Sequence, residues 1–159
     1  MVMYVRFFIL KLLAGVFIGL MFFININMDN FCDVVNKSYQ MQIIYDGETK
    51  IYSENNELFV DIISEMLSVF EESREMPSLG VSLDDLTREE MKKGIWIQLD
   101  FEDEMVYSGM SFDSLLLKLE YNSCGLSVIR KYQGLYEGRC YYFDLRGNYN
   151  QLIETIINR

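Results

Sequence analysis

Apolar side chains at Phe59, Ile62, Ile63, Met66, Leu67 and Phe70 recur at the i, i+3, i+4, i+7 spacing of one buried helical stripe. That spacing predicts a helix from about Glu57 to Glu75, capped by Asn55 or Asn56 and ended by Pro77. Before it, two β-prone runs, Tyr39–Tyr45 and Glu48–Ser53, meet at Asp46-Gly47. Asp-Gly suits a type I′ turn, which needs φ > 0 at both central positions, so a hairpin is expected.

Further on, Thr87 and Glu90 stand three apart as in a capping box, with Gly94 just past Lys92 and Lys93; a short helix is expected there. Ile95, Ile97, Leu99 and Phe101 then alternate with Trp96, Gln98 and Asp100, the pattern of a half-buried strand. Met105–Ser108 is expected to return antiparallel after a turn at Glu102–Glu104, and Ser114–Tyr121 alternates as another strand. Leu126–Tyr132 and Arg139–Asp144 predict a hairpin around Gln133–Gly138. A turn symmetrical about Leu135 sets Arg130 opposite Cys140 and Lys131 opposite Arg139. A helix from about Tyr149 to Asn158, with Leu152, Ile153, Ile156 and Ile157 inward, closes the chain.

The expected order is ββ-α-α-β-β-β-β-β-α. Sequential strands with short turns imply an antiparallel sheet, and amphipathic helices bury their stripes on such a sheet. The fold class is therefore α+β, with one long helix and a C-terminal helix on a mostly antiparallel sheet.

The first residues follow a different pattern. Phe7–Ile24 is apolar apart from Lys11, long enough at 1.5 Å per residue to span about 27 Å as a helix, close to a bilayer core. Arg6 and Lys11 lie at one end, Asp29 and Asp33 beyond the other, so the positive-inside bias sets the N-terminus in the cytoplasm and the domain outside. Residues 1–28 are thus read as a membrane anchor or signal segment, and residues 29–159 as a single acidic α+β domain. The thirteen-residue core Leu12–Ile24 also suits a secretory signal, but Ile24-Asn25-Ile26-Asn27-Met28 offers no small-x-small cleavage site. Translation from Met28 is the alternative, and it makes a cytoplasmic protein.

Composition narrows the chemistry. The chain carries 24 acids against 14 bases, and because Arg6 and Lys11 precede residue 29, the domain has 24 acids against 12 bases. Duplex nucleic acid repels such a surface; a basic protein partner suits it. With no histidine, the usual general base, zinc ligand and pH switch are missing. Cys32, Cys124 and Cys140 have no metal-ligand spacing and are expected to remain thiols. No S-x-x-K, phosphate loop or dinucleotide fingerprint occurs, and no cofactor is expected. Gly109-Met110-Ser111-Phe112-Asp113 approaches a nucleophile elbow but ends in Asp.

Two clusters remain. Asp100, Glu102, Asp103 and Glu104 form an acidic surface between expected strands, most simply a solvated turn. As a calcium loop they fail, since the sixth residue from Asp100 is Met105 rather than glycine. Arg130, Lys131, Arg139 and Arg146 interleave with tyrosines and form a candidate anion or partner contact, or a strand pair neutralised by the protein's own acids. Asn36-Lys37-Ser38 fits a glycosylation sequon. The expectation is a non-enzymatic binding module at the outer face of a membrane. The alternatives are a cytosolic acidic inhibitor of a basic protein, or a carboxylate-dependent hydrolase of carbohydrate.

Overall fold

The computed structural model describes residues 30–77 and 80–158; the expected N-terminal hydrophobic helix lies outside them. The fold is α+β, as the pattern predicts, with four helices in the described residues. A short helix α1 (Phe31–Val35) leads into the hairpin β1 (Gln40–Tyr45) and β2 (Glu48–Ser53), then helix α2 (Glu57–Glu71). Strands β3 (Arg74–Met76) and β4 (Val81–Ser82) precede helix α3 (Asp84–Glu90). The chain continues through β5 (Ile95–Tyr107), β6 (Met110–Leu119), β7 (Gly125–Lys131), β8 (Gly138–Arg139), β9 (Tyr141–Asp144) and helix α4 (Asn150–Ile157). Seven strands form one sheet in the order β2-β1-β5-β6-β7-β9-β3, each neighbouring pair antiparallel, while β4 and β8 make a separate two-stranded ribbon.

Side-chain alternation sorts the sheet into two faces. Met41, Ile43, Ile97, Leu99, Leu115, Leu117, Leu126 and Val128 point to the face that α1, α2 and α4 cover, and the main core lies there. Helix α2 buries Leu58, Phe59, Ile62, Ile63, Met66 and Phe70, and Asn56 caps it by accepting from the Leu58 N–H at 2.9 Å. It stops at Glu71 rather than Glu75, because Arg74–Met76 pair with β9 as an edge strand. Helix α1 adds Phe31, whose ring meets Phe143 at 4.4 Å and Phe70 at 4.7 Å.

The opposite face carries a smaller apolar cluster of Ile44, Trp96, Leu116 and Tyr136, with Met91 and Ile129 packed on it. β5 is consequently buried on both faces over Ile95–Leu99, not half-buried as its alternation suggests. Helix α3 sits on this side and begins at Asp84, three residues before the expected capping box, with Thr87 buried at its middle.

Three corrections to the expected strands matter for the surface. First, no turn occurs at Glu102–Glu104: β5 runs on to Tyr107, and Ser108-Gly109, with φ 47° and 74°, makes the turn to β6. Second, the ladder shifts between Asp100–Ser114 and Met105–Phe112, so Phe101–Glu104 bulge opposite the single Asp113. Third, the last hairpin turns at Gln133-Gly134 (φ 51° and 84°), closed by Tyr132 and Leu135, which exchange hydrogen bonds of 3.0 and 3.1 Å. Beyond that turn, residues 136–140 leave the ladder, and pairing resumes at Val128–Tyr141. The expected Lys131–Arg139 and Arg130–Cys140 pairs are therefore not formed; Arg139 pairs with Val81 in the ribbon instead.

Candidate functional site

The excursion of residues 136–140 exists because Tyr136 reaches back onto the sheet. Its ring is 3% exposed, and its hydroxyl donates to Gln98 Oε1. Gln98 in turn donates from Nε2 to Asp100 Oδ1 at 2.6 Å, and Gln42 donates to Asp100 Oδ2 at 2.8 Å. The Tyr136 N–H donates to Asp84 Oδ1 at 2.9 Å, while Arg88 bonds Asp84 Oδ2 at 2.7 Å and the Gly134 carbonyl at 2.8 Å. Arg88 and Lys131 also approach the Tyr136 ring, at 5.0 and 5.4 Å from its centroid. Loop, helix α3 and strands β1 and β5 are thus joined through one polar network centred on Tyr136, Gln98 and Asp100.

This network fixes protonation states. Burial pushes the Tyr136 hydroxyl up to about 12, well above a free tyrosine. The hydrogen bond from Arg88, with that from the Tyr136 N–H, holds Asp84 below the usual carboxylate range.

The four acids of the sequence cluster divide. Asp100 faces the polar network, both its oxygens engaged by glutamine amides. Glu102, Asp103 and Glu104 are exposed on the bulge. Glu104 accepts from Tyr132 at 3.0 Å, and bonds from Ser111 and Tyr132 lower its pKa. Glu102 and Asp103 have no ion pair among the described residues.

The four bases do not converge either. Arg130 is spent on backbone carbonyls, donating to Ser111 at 2.6 Å, Arg139 at 3.0 Å and Glu137 at 3.4 Å. Lys131 lies over Tyr136, Arg139 is exposed on the ribbon, and Arg146 lies 4.0 Å from Glu72 beyond the other end of β9. The remaining ion pairs, Lys92–Glu89 and Lys118 with Glu90 and Glu120, are likewise internal.

Among the concavities that flank these groups are two with distinct linings. One, of about 610 Å³, runs between the ribbon and α3 on one side and β7 and β9 on the other, lined by Val81, Leu83, Leu86, Glu90, Ile129 and Tyr142 among others. The second, of about 320 Å³, lies between α2 and α4 and includes Glu65, Glu72, Arg146 and Asn148. Glu65 Oε1 accepts from Thr155 at 2.8 Å, but its Oε2 is buried without a hydrogen-bond partner among the described residues.

No disulfide joins the three cysteines; burial raises the Cys140 and Cys32 thiols above their ordinary value. Among the described residues, no group of three or more His, Cys, Asp or Glu is placed to hold a metal ion, and no helix is long and apolar enough to cross a membrane. Comparison with known proteins adds no relative: no family model, curated protein or solved structure matches the chain.

Sequence reasoning missed Tyr136, Gln98 and Gln42. One signal was available: a large aromatic inside Gln133–Gly138, a stretch otherwise read as a turn, needs somewhere to bury its ring.

Proposed function

We propose that the chain is a non-enzymatic interaction module that binds a basic protein, held at the outer face of a membrane through residues 7–24. The observation that carries the binding half is the unequal fate of its charges. Arg88, Lys92, Lys118 and Arg130 are occupied by the protein's own carboxylates or carbonyls. Glu102 and Asp103, by contrast, are both exposed on a bulge and form no ion pair among the described residues. Exposed acid in excess of available base attracts a cationic surface and speeds its encounter. The apolar run Phe7–Ile24 with its flanking charges supports the membrane half.

Immobilised full-length chain tests the first half: a cationic protein retained at low salt and released as salt rises supports it. Retention of no cationic protein contradicts it. Fractionation of native cells with intact-mass measurement tests the second half, which requires full-length mass in the membrane fraction.

A second reading is favoured by the position of α1, whose Phe31 is built into the core just after Met28. A product beginning at Met28 keeps every described element, and such a cytosolic protein would act as an acidic inhibitor of the same kind of partner. A soluble product of that mass selects it. The hydrolase reading draws no comparable support, since Asp100 is engaged by two amides while Glu102 faces solvent.

A further inference from the structure

The concavity beside α3 brings exposed apolar side chains and an acid together on one surface. Val81, Leu83 and Leu86 expose 69%, 57% and 60% of their surface within six residues of chain, and Tyr142 faces them across the groove. Scattered apolar residues on a surface are ordinary, but a contiguous rim over an apolar floor marks an interaction site. The floor is Ile129. Gly125 keeps the Tyr142 wall in place, because a Cβ there would collide with the Tyr142 hydroxyl lying over it.

Charge selects the occupant. Glu90 is the charged side chain in the wall, and its Lys118 contact, at 3.7 Å, is too long for a strong hydrogen bond. Only Glu90 Oε2 meets Lys118, and that carboxylate is largely exposed, so an incoming lysine or arginine can share Glu90 with Lys118. A second copy of this chain brings another net charge of −10 to the same place. Location agrees as well. Helix α1, where the described chain starts, packs on the helix-covered face, and the groove lies on the other face of the sheet. A partner seated in the groove therefore leaves α1, the first described element, uncovered.

We propose that this groove docks an amphipathic helix of the basic partner, its apolar stripe between α3 and Tyr142 and its lysine or arginine flank on Glu90. The proposal rests on the binding function above and names the surface that performs it. Apolar anchors at i, i+3 or i+4 and i+7 supply the affinity, and the basic flank sets orientation.

Two synthetic peptides of equal length and charge test it, one a Leu/Lys sequence patterned as an amphipathic helix, the other with serine in place of leucine. Binding is measured on full-length chain in phosphatidylcholine nanodiscs, with empty nanodiscs subtracted. The Leu/Lys peptide is expected to bind, and Leu86→Glu to weaken it about tenfold, the scale of losing one buried anchor. Because that substitution adds negative charge, a loss identifies apolar contact. Leu86→Ser, which leaves the charge unchanged, should weaken it in the same direction. Equal binding of both peptides, untouched by either substitution, overturns the groove and leaves the acidic-surface reading standing. Binding of neither peptide at low salt overturns both. A dimer of the wild-type chain that Leu86→Ser dissociates assigns the groove to a second copy and also overturns the proposal.

Discussion

The Tyr136 hydroxyl donates to Gln98 Oε1, joining the end of the last hairpin to the middle of strand β5 thirty-eight positions earlier. The bond lies under α3, and Gln98 relays it to Asp100. It explains why the hairpin abandons its ladder, since a buried phenol and a buried amide satisfy each other only if residues 136–140 leave the strand.

Tyr136→Phe is expected to destabilise the chain by about 1–3 kcal/mol, because Gln98 Oε1 keeps its burial and loses its donor. Chemical denaturation of the two proteins measures this. A change within about 0.5 kcal/mol, the scatter of neutral surface substitutions, contradicts it.

The same tyrosine predicts alkaline unfolding. Its folded pKa, about 12, lies above the ordinary tyrosine value of 10.0, so the folded chain holds the proton more tightly. The corresponding stability is fully present below pH 10 and is lost as pH rises through about 12. Tyr107 and Tyr141 are shifted upward too, mainly by burial, and steepen the loss. Melting temperatures between pH 9 and 12 should fall less steeply in Tyr136→Phe than in wild type; parallel curves refute the assignment.

Arg130 separates from its basic neighbours. Arg130→Ala removes donors from the carbonyls of Ser111, Glu137 and Arg139 and should cost about 1–3 kcal/mol. Arg139→Ala, at an exposed position, should cost under about 0.5 kcal/mol. Equal effects would show that Arg130 has no special hold on the bulged hairpin.

Glu65 is a site where a neutral residue of the same shape is expected to be more stable. Glu65→Gln retains an acceptor for Thr155 while removing a partly buried charge whose second oxygen is unpartnered. A gain of up to about 1 kcal/mol is expected. A loss of that size would reveal a donor to Oε2 in solution.

Much of the fold was legible because its signals are local. Asp46-Gly47 makes the expected turn with φ 47° and 85°, and the stripe from Phe59 to Phe70 makes the expected helix. The less legible parts depend on partners far along the chain. β3 and β4 are three and two residues long and exist through pairing with β9 and β8. Helix α1, at five residues, is too short for a periodic pattern and is held by the Asn30 cap and by Phe31 against Phe70 and Phe143. Glu102-Asp103-Glu104 has the composition of a turn, yet a wide bulge lets a strand carry three exposed acids in succession. Glu102, Asp103 and Glu104 are exposed, while the glutamines draw Asp100 inward, a difference that the acidic run does not show. The groove went unforeseen because Val81, Leu83 and Leu86 become its rim only when β4 pairs with β8.

The central claim, recognition of a basic protein by the acid left unpaired on the bulge, is tested most directly by charge reversal. Full-length wild type and Glu102→Lys/Asp103→Lys are immobilised side by side and challenged with the same cell extract at low salt. The account predicts that a cationic protein binds wild type, leaves as salt rises, and is lost or strongly reduced on the reversed chain, while circular dichroism shows both folded. Equal retention on the two chains, or retention insensitive to salt, contradicts it.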